Sequence, residues 1–284
     1  MRFVSFKAAG QSRFGVAVDD GIVDLSTRST GFTGLRQALE AGALPQLAAA
    51  ARGQQADFAF ADVEFQLPVP DPSKIVCVGV NYANRSEEYE KRVQESAYPN
   101  LFLRTTQSFV GHGVPLRVPK QSHQLDYEGE IVLVIGKRGR SIERADAMSH
   151  VAGLTVGNEG TIRDWTKHGA RNSAGGKNFD ASGSIGPWME DGTGRDGETL
   201  SVKTWVNDEL RQNDTTASII YPFDLIIHYV SQFTTLMPGD LILTGTPTGA
   251  GARFNPPRYL APGDTLRIEV GGVGTLENPV AAEA

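Results

Sequence analysis

The sequence predicts an α+β, β-rich fold, with a small α+β N-terminal domain over residues 1–66 and a larger domain over residues 67–284. The 32 glycines and 15 prolines among 284 residues indicate many tight turns between short strands. A Pro-Gly-Asp turn precedes an alternating apolar strand twice, at residues 238–240 and 262–264. The proline-rich stretch LPVPDP, residues 67–72, has the extended character of a linker between the two parts.

The N-terminal part begins with a predicted hairpin. Residues 2–6 and 13–18 alternate between apolar and polar side chains, and the run DDG at residues 19–21 predicts a turn into a third strand at residues 22–25. The stretch 34–52 is rich in alanine and leucine and predicts a helix. We expect an interruption at Pro45, because proline lacks the N–H that a helix interior uses.

The larger part is predicted to be mainly strands. Apolar runs predict strands at residues 74–79, 130–135, 241–244 and 265–270. Residues 224–233 have the period of an amphipathic helix, and the charged run at residues 86–95 predicts a helix or a lid. The repeated turn before a strand indicates a β-rich core that closes on itself.

Composition excludes several classes of partner. The net charge of −6 and the pI near 5.4 argue against nucleic acid and anionic membranes, which require a basic face. The single cysteine, Cys77, lies in an apolar run and cannot form an intrachain disulfide. Polar residues interrupt the first apolar run, and no stretch approaches the roughly 18 apolar residues of a membrane span. These features predict a cytoplasmic protein.

Common cofactor and nucleophile motifs fail in this sequence. The segment that ends in Lys177 has Arg171 where a phosphate-binding loop requires its first glycine. The glycine-rich run at residues 245–251 has the wrong spacing for a dinucleotide fingerprint. The scattered histidines and the single cysteine do not form a zinc motif, and no Gly-x-Ser-x-Gly elbow is present.

Acidic residues at alternate positions form the most informative run. Asp126, Glu128 and Glu130 would share one face of an extended chain that enters the apolar strand at residues 131–135. Adjacent carboxylates repel unless a cation lies between them, and hard oxygen ligands favour Mg²⁺, Mn²⁺ or Ca²⁺. Glu159, after the apolar run at residues 151–156, is a further candidate. The alternative is a solvated acidic strand face.

Candidate cations and backbone donors follow along the chain. Arg163 is either a site residue or part of a surface ion pair with Asp164. Lys177 lies in a glycine-flanked loop segment where backbone can approach a ligand, although a loop lysine is more often solvated. The run GTPTG at residues 245–249 follows a strand and can offer backbone N–H groups to an anion.

Taken together, these motifs resemble the fumarylacetoacetate hydrolase family from about Lys74 to the C-terminus. The matching runs are DYEGE at 126–130, NE at 158–159, RD at 163–164, GKNFD at 176–180, GPW at 186–188 and GTPTG at 245–249. The resemblance implies a β-roll domain, a homodimer, and Mg²⁺ or Mn²⁺ as cofactor, with Ca²⁺ as an alternative. It also implies a small 2-oxo acid as substrate.

The resemblance assigns roles residue by residue. The implied site residues are Glu128, Glu130 and Glu159 for the metal, Lys177, Glu88 and Arg85 for catalysis, and Thr246, Gly245, Arg163 and Tyr82 for substrate binding. Family members usually carry aspartate at the third metal position, so Glu159 is a longer oxygen ligand. Thr246 corresponds to the threonine that binds the substrate carboxylate.

One motif departs from the family pattern. Family hydrolases carry Gly-x-Asn-Tyr-x-x-His followed by a glutamate, and the histidine and glutamate activate water; here the histidine position holds Arg85. Arginine stays protonated and cannot be a general base. Either Glu88 transfers the proton alone, or another group does, or the reaction needs no activated water. Arg85 instead suits a second substrate carboxylate, delivered by a lid over residues 84–95.

The sequence therefore supports three function hypotheses. The leading one is a divalent-metal-dependent hydrolase that cleaves a C–C bond in a small acidic 2-oxo or β-diketo acid, of acylpyruvate or fumarylpyruvate type, through a metal-stabilised enolate. The first alternative is an isomerase, decarboxylase or hydratase of a 2-oxo dicarboxylic acid in aromatic catabolism. The second is a metal-bound binding protein without catalytic activity.

Overall fold

The computed structural model describes residues 1–28, 30–88, 96–169, 173–192, 195 and 197–284, with the backbone alone for residues 86–88. In these ranges the strands are β1 (Arg2–Ala8), β2 (Gln11–Val18), β3 (Gly21–Asp24), β4 (Glu64–Phe65), β5 (Ile75–Gly79), β6 (Asn100–Arg104), β7 (Phe109–Val110), β8 (Leu116–Val118), β9 (Leu125–Asp126), β10 (Gly129–Ile135), β11 (Val151–Asn158), β12 (Thr161–Ile162), β13 (Gly183–Asp191), β14 (Ser201–Val206), β15 (Glu209–Thr215), β16 (Leu241–Leu243), β17 (Thr265–Val270) and β18 (Gly274–Ala282).

Helices are fewer and shorter in the same residues. The α-helices are α1 (Leu35–Glu40), α2 (Leu44–Ala51), α3 (Ser173–Lys177) and α4 (Phe223–Phe233). Short 3₁₀ turns lie at Phe60–Asp62, Ala83–Glu88, Thr106–Ser108, Arg144–His150, Trp165–Lys167, Thr216–Ser218 and Gly251–Arg253. No helix in the described ranges is long and apolar enough to cross a membrane.

Two sheets form most of the structure. The larger, of 11 strands, has the order β3-β2-β1-β13-β11-β10-β16-β5-β6, with β4 beside β1 and β7 beside β13. The smaller, of five strands, has the order β15-β14-β17-β18-β8, and β12 pairs separately with β9. The predicted α+β, β-rich fold is confirmed.

Strand β10 explains why residues 130–135 are almost continuously apolar. It lies between β11 and β16, and all seven of its residues are buried. Ile131 and Leu133 pack into the same core as Leu266 of the smaller sheet, whereas Val132 and Val134 pack into the core that holds helices α1 and α2. A strand covered on both faces requires apolar side chains at successive positions.

The N-terminal hairpin prediction is confirmed by the antiparallel pairs β1–β2 and β2–β3. Strand β1 also pairs with β13, through Phe3 and Met189, so the N-terminal strands continue the large sheet of the rest of the chain. Leu67 and Val69 of the predicted linker are buried. The division into domains at residues 66 and 67 stays a prediction.

The break in the N-terminal helix lies before the predicted position. Helix α1 ends at Glu40 and α2 begins at Leu44, so Pro45 belongs to the first turn of the second helix, where its missing N–H has no intrahelical partner to lose. Gly42, with φ of +64°, makes the turn between them. The prediction of an interruption is correct, but its placement at Pro45 is wrong.

Both Pro-Gly-Asp turns lead into strands as predicted. Gly239 and Gly263 have φ of +88° and +100°, which glycine adopts without the steric cost of a Cβ. In each turn the aspartate side chain, of Asp240 or Asp264, accepts the backbone N–H three residues earlier at 2.8 Å. The same local chemistry therefore starts β16 and β17.

Candidate active site

The acidic run is not one continuous strand. Residues Leu125–Asp126 pair with β12, whereas the chain from Gly129 pairs with β11, so the extended face expected for residues 126–130 is interrupted at Tyr127 and Glu128. The carboxylates are nevertheless buried: the exposed fraction is 0% for Asp126, 4% for Glu128 and 2% for Glu130. The alternative of a solvated acidic face is wrong.

Asp126 supports the site and is separated from its centre by Arg163. Its carboxylate accepts the backbone N–H groups of Gly251 at 2.7 Å and Ala252 at 3.0 Å, and the Nε–H of Arg163 at 2.6 Å. Arg163 then donates from Nη2 to Glu128 Oε1 at 2.8 Å. Arg163 is thus half-buried and paired with two carboxylates, so the alternative of a surface ion pair with Asp164 is wrong.

Glu128 is the most strongly paired carboxylate of the site. Besides Arg163, it accepts hydrogen bonds from Arg85 Nη2 and from Lys177 Nζ, the latter at 2.6 Å, and from Thr161 Oγ1 at 3.0 Å. Burial alone would raise the pKa of Glu128, but the charges of Arg163, Lys177 and Arg85 hold the pKa well below its usual range. Glu128 is therefore an ionised buried ligand candidate.

Lys177 ends helix α3, whereas the sequence predicted a loop. Gly176 permits this helix to pack closely, since a Cβ there would lie 2.4 Å from Thr166 Cγ2. The ammonium donates to Glu128, to Glu159 and, at 2.6 Å, to Thr161 Oγ1. Burial alone would lower the pKa of Lys177. The charges of the two glutamates outweigh that effect and raise the pKa above its ordinary value, so this lysine is charged.

Arg104, at the end of β6, belongs to the site but was missed from the sequence. Its Nη1 donates to Glu159 Oε1 at 2.6 Å, and its side chain is 0% exposed. The pKa of Glu159 is raised by burial, which Lys177 and Arg104 offset only in part. A single arginine after an apolar strand resembles a surface residue in sequence, so no local signal identified it.

Glu130 has the least compensation among the site carboxylates. It accepts the backbone N–H of Gly245 at 2.7 Å. Burial, together with the neighbouring charges of Glu159 and Glu128, raises its pKa well above the usual range. Additional positive charge beside Glu130 would therefore be favourable.

The donor set suits a hard divalent ion. Glu128, Glu130 and Glu159 supply only carboxylate oxygens, which Mg²⁺ and Mn²⁺ prefer. In the part of the chain that the structure describes, no three acidic, histidine or cysteine side chains already converge on one ion position. The Lys177 ammonium lies between Glu128 and Glu159 instead. An ion that binds these carboxylates would take over charge compensation from Lys177.

The loop after β16 uses its donors within the protein. Gly245, whose N–H binds Glu130, has φ of +102° and packs so closely that a Cβ would lie 2.6 Å from Asn81 Cβ. Thr246 Oγ1 accepts a hydrogen bond from Gln212 Nε2 at 2.9 Å. Gln212 also accepts the Gly129 N–H at 2.9 Å, and sequence analysis did not identify it.

The remaining predicted residues lie in the segment after β5. Arg85 is 2% exposed and donates to Pro247 O at 3.0 Å as well as to Glu128. The Tyr82 hydroxyl is buried without a hydrogen-bond partner in the described structure, and burial and then Glu130 raise its pKa. The side chain of Glu88 and residues 89–95 of the predicted lid lie outside the described residues.

Comparison with known proteins decides the family. A family model described as fumarylacetoacetate (FAA) hydrolase C-terminal matches residues 74–281. The chain belongs to the fumarylacetoacetate hydrolase family. The resemblance found in the sequence motifs is confirmed, and the match begins within one residue of β5.

Similar proteins support the same assignment over the whole chain. A relative named oxaloacetate tautomerase fahd2, mitochondrial, from Xenopus laevis, is 34% identical over 289 residues, covering 99% of this chain and 90% of its own. Fumarylacetoacetate hydrolase from Exiguobacterium antarcticum superposes with a TM-score of 0.86 at 30% identity, covering 100% of both chains. The prediction of an enzyme is confirmed, because the relatives are enzymes that act on 2-oxo acids.

A third similar protein has ligands named in its description. Maleylpyruvate hydrolase from Sphingobium sp. SYK-6, solved with manganese(II) and pyruvate, superposes with a TM-score of 0.81 at 27% identity and 100% coverage of both chains. At the level of reaction, then, the similar proteins include both a tautomerase and hydrolases.

Proposed function

We propose that this enzyme interconverts the keto and enol forms of a small 2-oxo dicarboxylic acid, with oxaloacetate as the first candidate, and that it requires Mg²⁺ or Mn²⁺. The observation that carries the proposal is Arg85, a permanent cation buried against Glu128 in the position of the family's histidine. Tautomerisation moves one proton between carbon and oxygen and needs no hydroxide attack. A site without that histidine base can therefore support it.

The charge balance of the site favours a dianionic substrate. Its contacting ionisable groups are Arg85, Arg104, Arg163 and Lys177 on one side, and Asp126, Glu128, Glu130 and Glu159 on the other. Among the side chains that the structure describes, these four positive and four negative formal charges sum to zero when all are ionised. A divalent ion brings the sum to +2, which a dicarboxylate would neutralise in a buried site that disfavours net charge.

Each group of site residues would have a distinct role in the reaction. Glu128, Glu130 and Glu159 would hold the ion, which when bound would act as a Lewis acid on the 2-oxo group. Lys177, kept protonated by its carboxylate neighbours, would donate a hydrogen bond to the oxygen on which enolate charge develops. Arg85 would bind the distal carboxylate in two-point contact.

Substrate contacts from the loop after β16 remain part of the proposal. Thr246 and Gly245 would meet the substrate carboxylate, and Tyr82, with a buried hydroxyl that has no described partner, lies close enough to Glu130 for the charge to raise its pKa. Glu88 is retained as the proposed proton carrier, because a glutamate follows this motif in the family pattern. These roles are supported by the motif match rather than by contacts.

The relatives are consistent with this choice and supply the second candidate. The oxaloacetate tautomerase named above is similar over 99% of this chain. C–C hydrolysis, the leading sequence hypothesis, is favoured by the likeness to maleylpyruvate hydrolase, whose structure holds manganese(II) and pyruvate. Both reactions develop enolate charge on a 2-oxo acid, so the same three carboxylates and lysine serve either one.

The test uses metal-stripped protein and two substrate classes. Keto–enol exchange of oxaloacetate is followed by the ultraviolet absorbance of the enol, with Mn²⁺, with Mg²⁺ and with chelator, and the Lys177→Met variant controls for catalysis by free metal. We expect metal-dependent acceleration with oxaloacetate and little with the monocarboxylate 2-oxobutyrate. Release of pyruvate from acylpyruvates, without any acceleration of oxaloacetate exchange, would show the hydrolase instead.

Assembly and location stay predictions. The family pattern predicts a homodimer, which light scattering of the purified protein tests directly. The acidic composition predicts no nucleic-acid or membrane partner. Cytoplasmic location rests on the sequence arguments given above, while the named Xenopus relative is described as mitochondrial.

A further inference from the structure

Arg104 has every hydrogen-bond donor committed within the protein. Nε donates to Ser108 Oγ at 3.1 Å, Nη1 to Glu159 Oε1 at 2.6 Å and to Gly160 O at 2.9 Å, and Nη2 to Ser108 O at 3.2 Å and to Ser182 Oγ at 2.8 Å. A guanidinium has five N–H bonds, so none is left for a ligand. The side chain is 0% exposed, and its Cζ atom lies 4.1 Å from the ring centroid of Phe109.

This arrangement fixes the two oxygens of Glu159 in different roles. Arg104 binds Oε1, whereas Oε2 faces Lys177, which in turn contacts Glu128. The oxygen directed at the centre of the site is therefore the one that Arg104 does not use. Because the guanidinium is planar and held by three other residues, it restricts the rotation of the glutamate, whose side chain has three rotatable bonds.

We propose that Arg104 is a positioning residue that holds Glu159 Oε2 toward a divalent ion, although Arg104 itself touches neither ion nor substrate. The proposal rests on the proposed function in one respect, since it takes Glu159 as a metal ligand. Partners that orient metal ligands commonly change metal affinity by about 10- to 100-fold when they are removed.

The experiment measures metal binding without substrate. Metal-stripped protein is titrated with Mn²⁺, and free Mn²⁺ is read by electron paramagnetic resonance. We expect Arg104→Met to weaken Mn²⁺ binding at least about tenfold. Arg104→Lys, which keeps the charge but offers a single donor nitrogen, should weaken it less, by about threefold. At saturating Mn²⁺, the KM for oxaloacetate should stay unchanged in Arg104→Lys, which keeps the charge of the site, because Arg104 has no donor available to the substrate.

A matched control separates positioning from general destabilisation. Arg13 donates to the buried carboxylate of Asp24 at the same distance, 2.6 Å, and lies in β2, at the opposite end of the large sheet from β6. Arg13→Met should leave Mn²⁺ affinity within about twofold of wild type. An equal loss in Arg13→Met would overturn the proposal, as would wild-type affinity in Arg104→Met.

Three further outcomes remain decisive. If Arg104→Met does not fold, wild-type Mn²⁺ affinity in Arg104→Lys overturns the proposal, and weakened affinity supports it. If the wild type binds Mn²⁺ but does not convert oxaloacetate, the reaction is wrong while the titration still decides the role of Arg104. If the wild type binds no Mn²⁺, the metal site and the role of Arg104 are both wrong.

Discussion

Lys177 compensates the charge of two buried carboxylates of the site at once. Its ammonium bridges Glu128 and Glu159, which belong to different strand ends, so one cation holds two buried carboxylates together. A divalent ion bound to the same carboxylates would compete with the lysine for their oxygens. The side chain would then be available to the substrate, which links metal loading to the availability of the catalytic donor.

Lys177→Met tests this link at two levels. Without metal, removal of the ammonium takes one charged partner from each of two buried carboxylates, which keep only their arginine partners, so the free energy of unfolding should fall by up to about 3–5 kcal/mol. Saturating Mn²⁺ should restore most of that stability, while turnover stays reduced by about 100- to 1000-fold. Urea unfolding with and without Mn²⁺, together with kcat, measures both effects. Turnover near that of wild type would return Lys177 to a purely structural role.

Arg85 should affect substrate binding more than turnover. Arg85→Ala removes a two-point contact to the distal carboxylate, a loss of about 1.5–3 kcal/mol, so the KM for oxaloacetate should rise roughly 10- to 100-fold. Inhibition by pyruvate, which lacks the second carboxylate, is the internal control and should change little. A fall in kcat with unchanged KM would instead indicate that Arg85 acts through Glu128, which it also contacts.

The loop that joins β16 to the 3₁₀ turn Gly251–Arg253 is the element that connects several parts of the site. Gly245, the second residue of the loop, donates to Glu130, and the 3₁₀ turn at its far end donates to Asp126 through the N–H groups of Gly251 and Ala252. Both acids flank Glu128 in the chain. The loop therefore fixes the acidic run from both sides by backbone hydrogen bonds.

Gly245→Ala tests the loop against a matched glycine. At Gly245 a Cβ would lie 2.6 Å from Asn81 Cβ, whereas at Gly263, with a similar φ of +100°, nothing lies within 4 Å. Both changes incur the backbone cost of positive φ, and overpacking should add about 1–3 kcal/mol only for Gly245→Ala. Urea unfolding measures the difference, and Mn²⁺ affinity should fall only at residue 245. Equal effects at the two positions would contradict this account.

At the scale of the whole molecule, the N-terminal strands meet the larger part of the chain at a junction. A cavity of about 690 Å³ lies there, lined by Phe60, Phe65, Trp188 and His112 among others. The His112 ring packs edge-on against Phe65 at 5.1 Å, and its Nδ1 accepts the N–H of Glu277 at 3.1 Å. Burial lowers the pKa of His112, and the nearby charge of Glu277 opposes this only in part.

His112 should make stability depend on pH. Its folded pKa lies below the ordinary value of 6.5, so below that pH the unfolded chain takes up a proton that the folded chain does not. Its contribution is therefore present above about pH 6.5 and is lost as pH falls toward the folded pKa, at no more than about 1.4 kcal/mol per pH unit. Urea unfolding of wild type and His112→Gln between pH 5.5 and 7.5, chosen as roughly one unit either side of 6.5, measures the difference. Parallel pH curves for the two proteins would contradict the prediction.

Sequence patterns predicted those parts of the fold that depend on near neighbours. The hairpin, β10, α4 and the strands after the Pro-Gly-Asp turns each follow from a local period or turn. The carboxylates were predicted from motifs, and their burial agrees with a site. Arg104 and Gln212 were not predicted. Arg104 binds Glu159 across 55 residues of sequence, and Gln212 binds Gly129 across 83 residues. Such contacts form when strands that are distant in the sequence pair in a sheet, so the local spacing of residues does not predict them.

Cys77 is the one thiol in the sequence, and it is fully buried in β5, between β16 and β6. Burial raises its pKa well above the usual range, so in the closed sheet it is protected both from contact with reagents and from ionisation. A thiol reagent will then modify the protein only when this part of the sheet opens. The rate of labelling therefore reports how often β5 separates from β6, which carries Arg104, or from β16, which leads into the loop that holds Gly245. It measures the opening of this side of the site within the native chain.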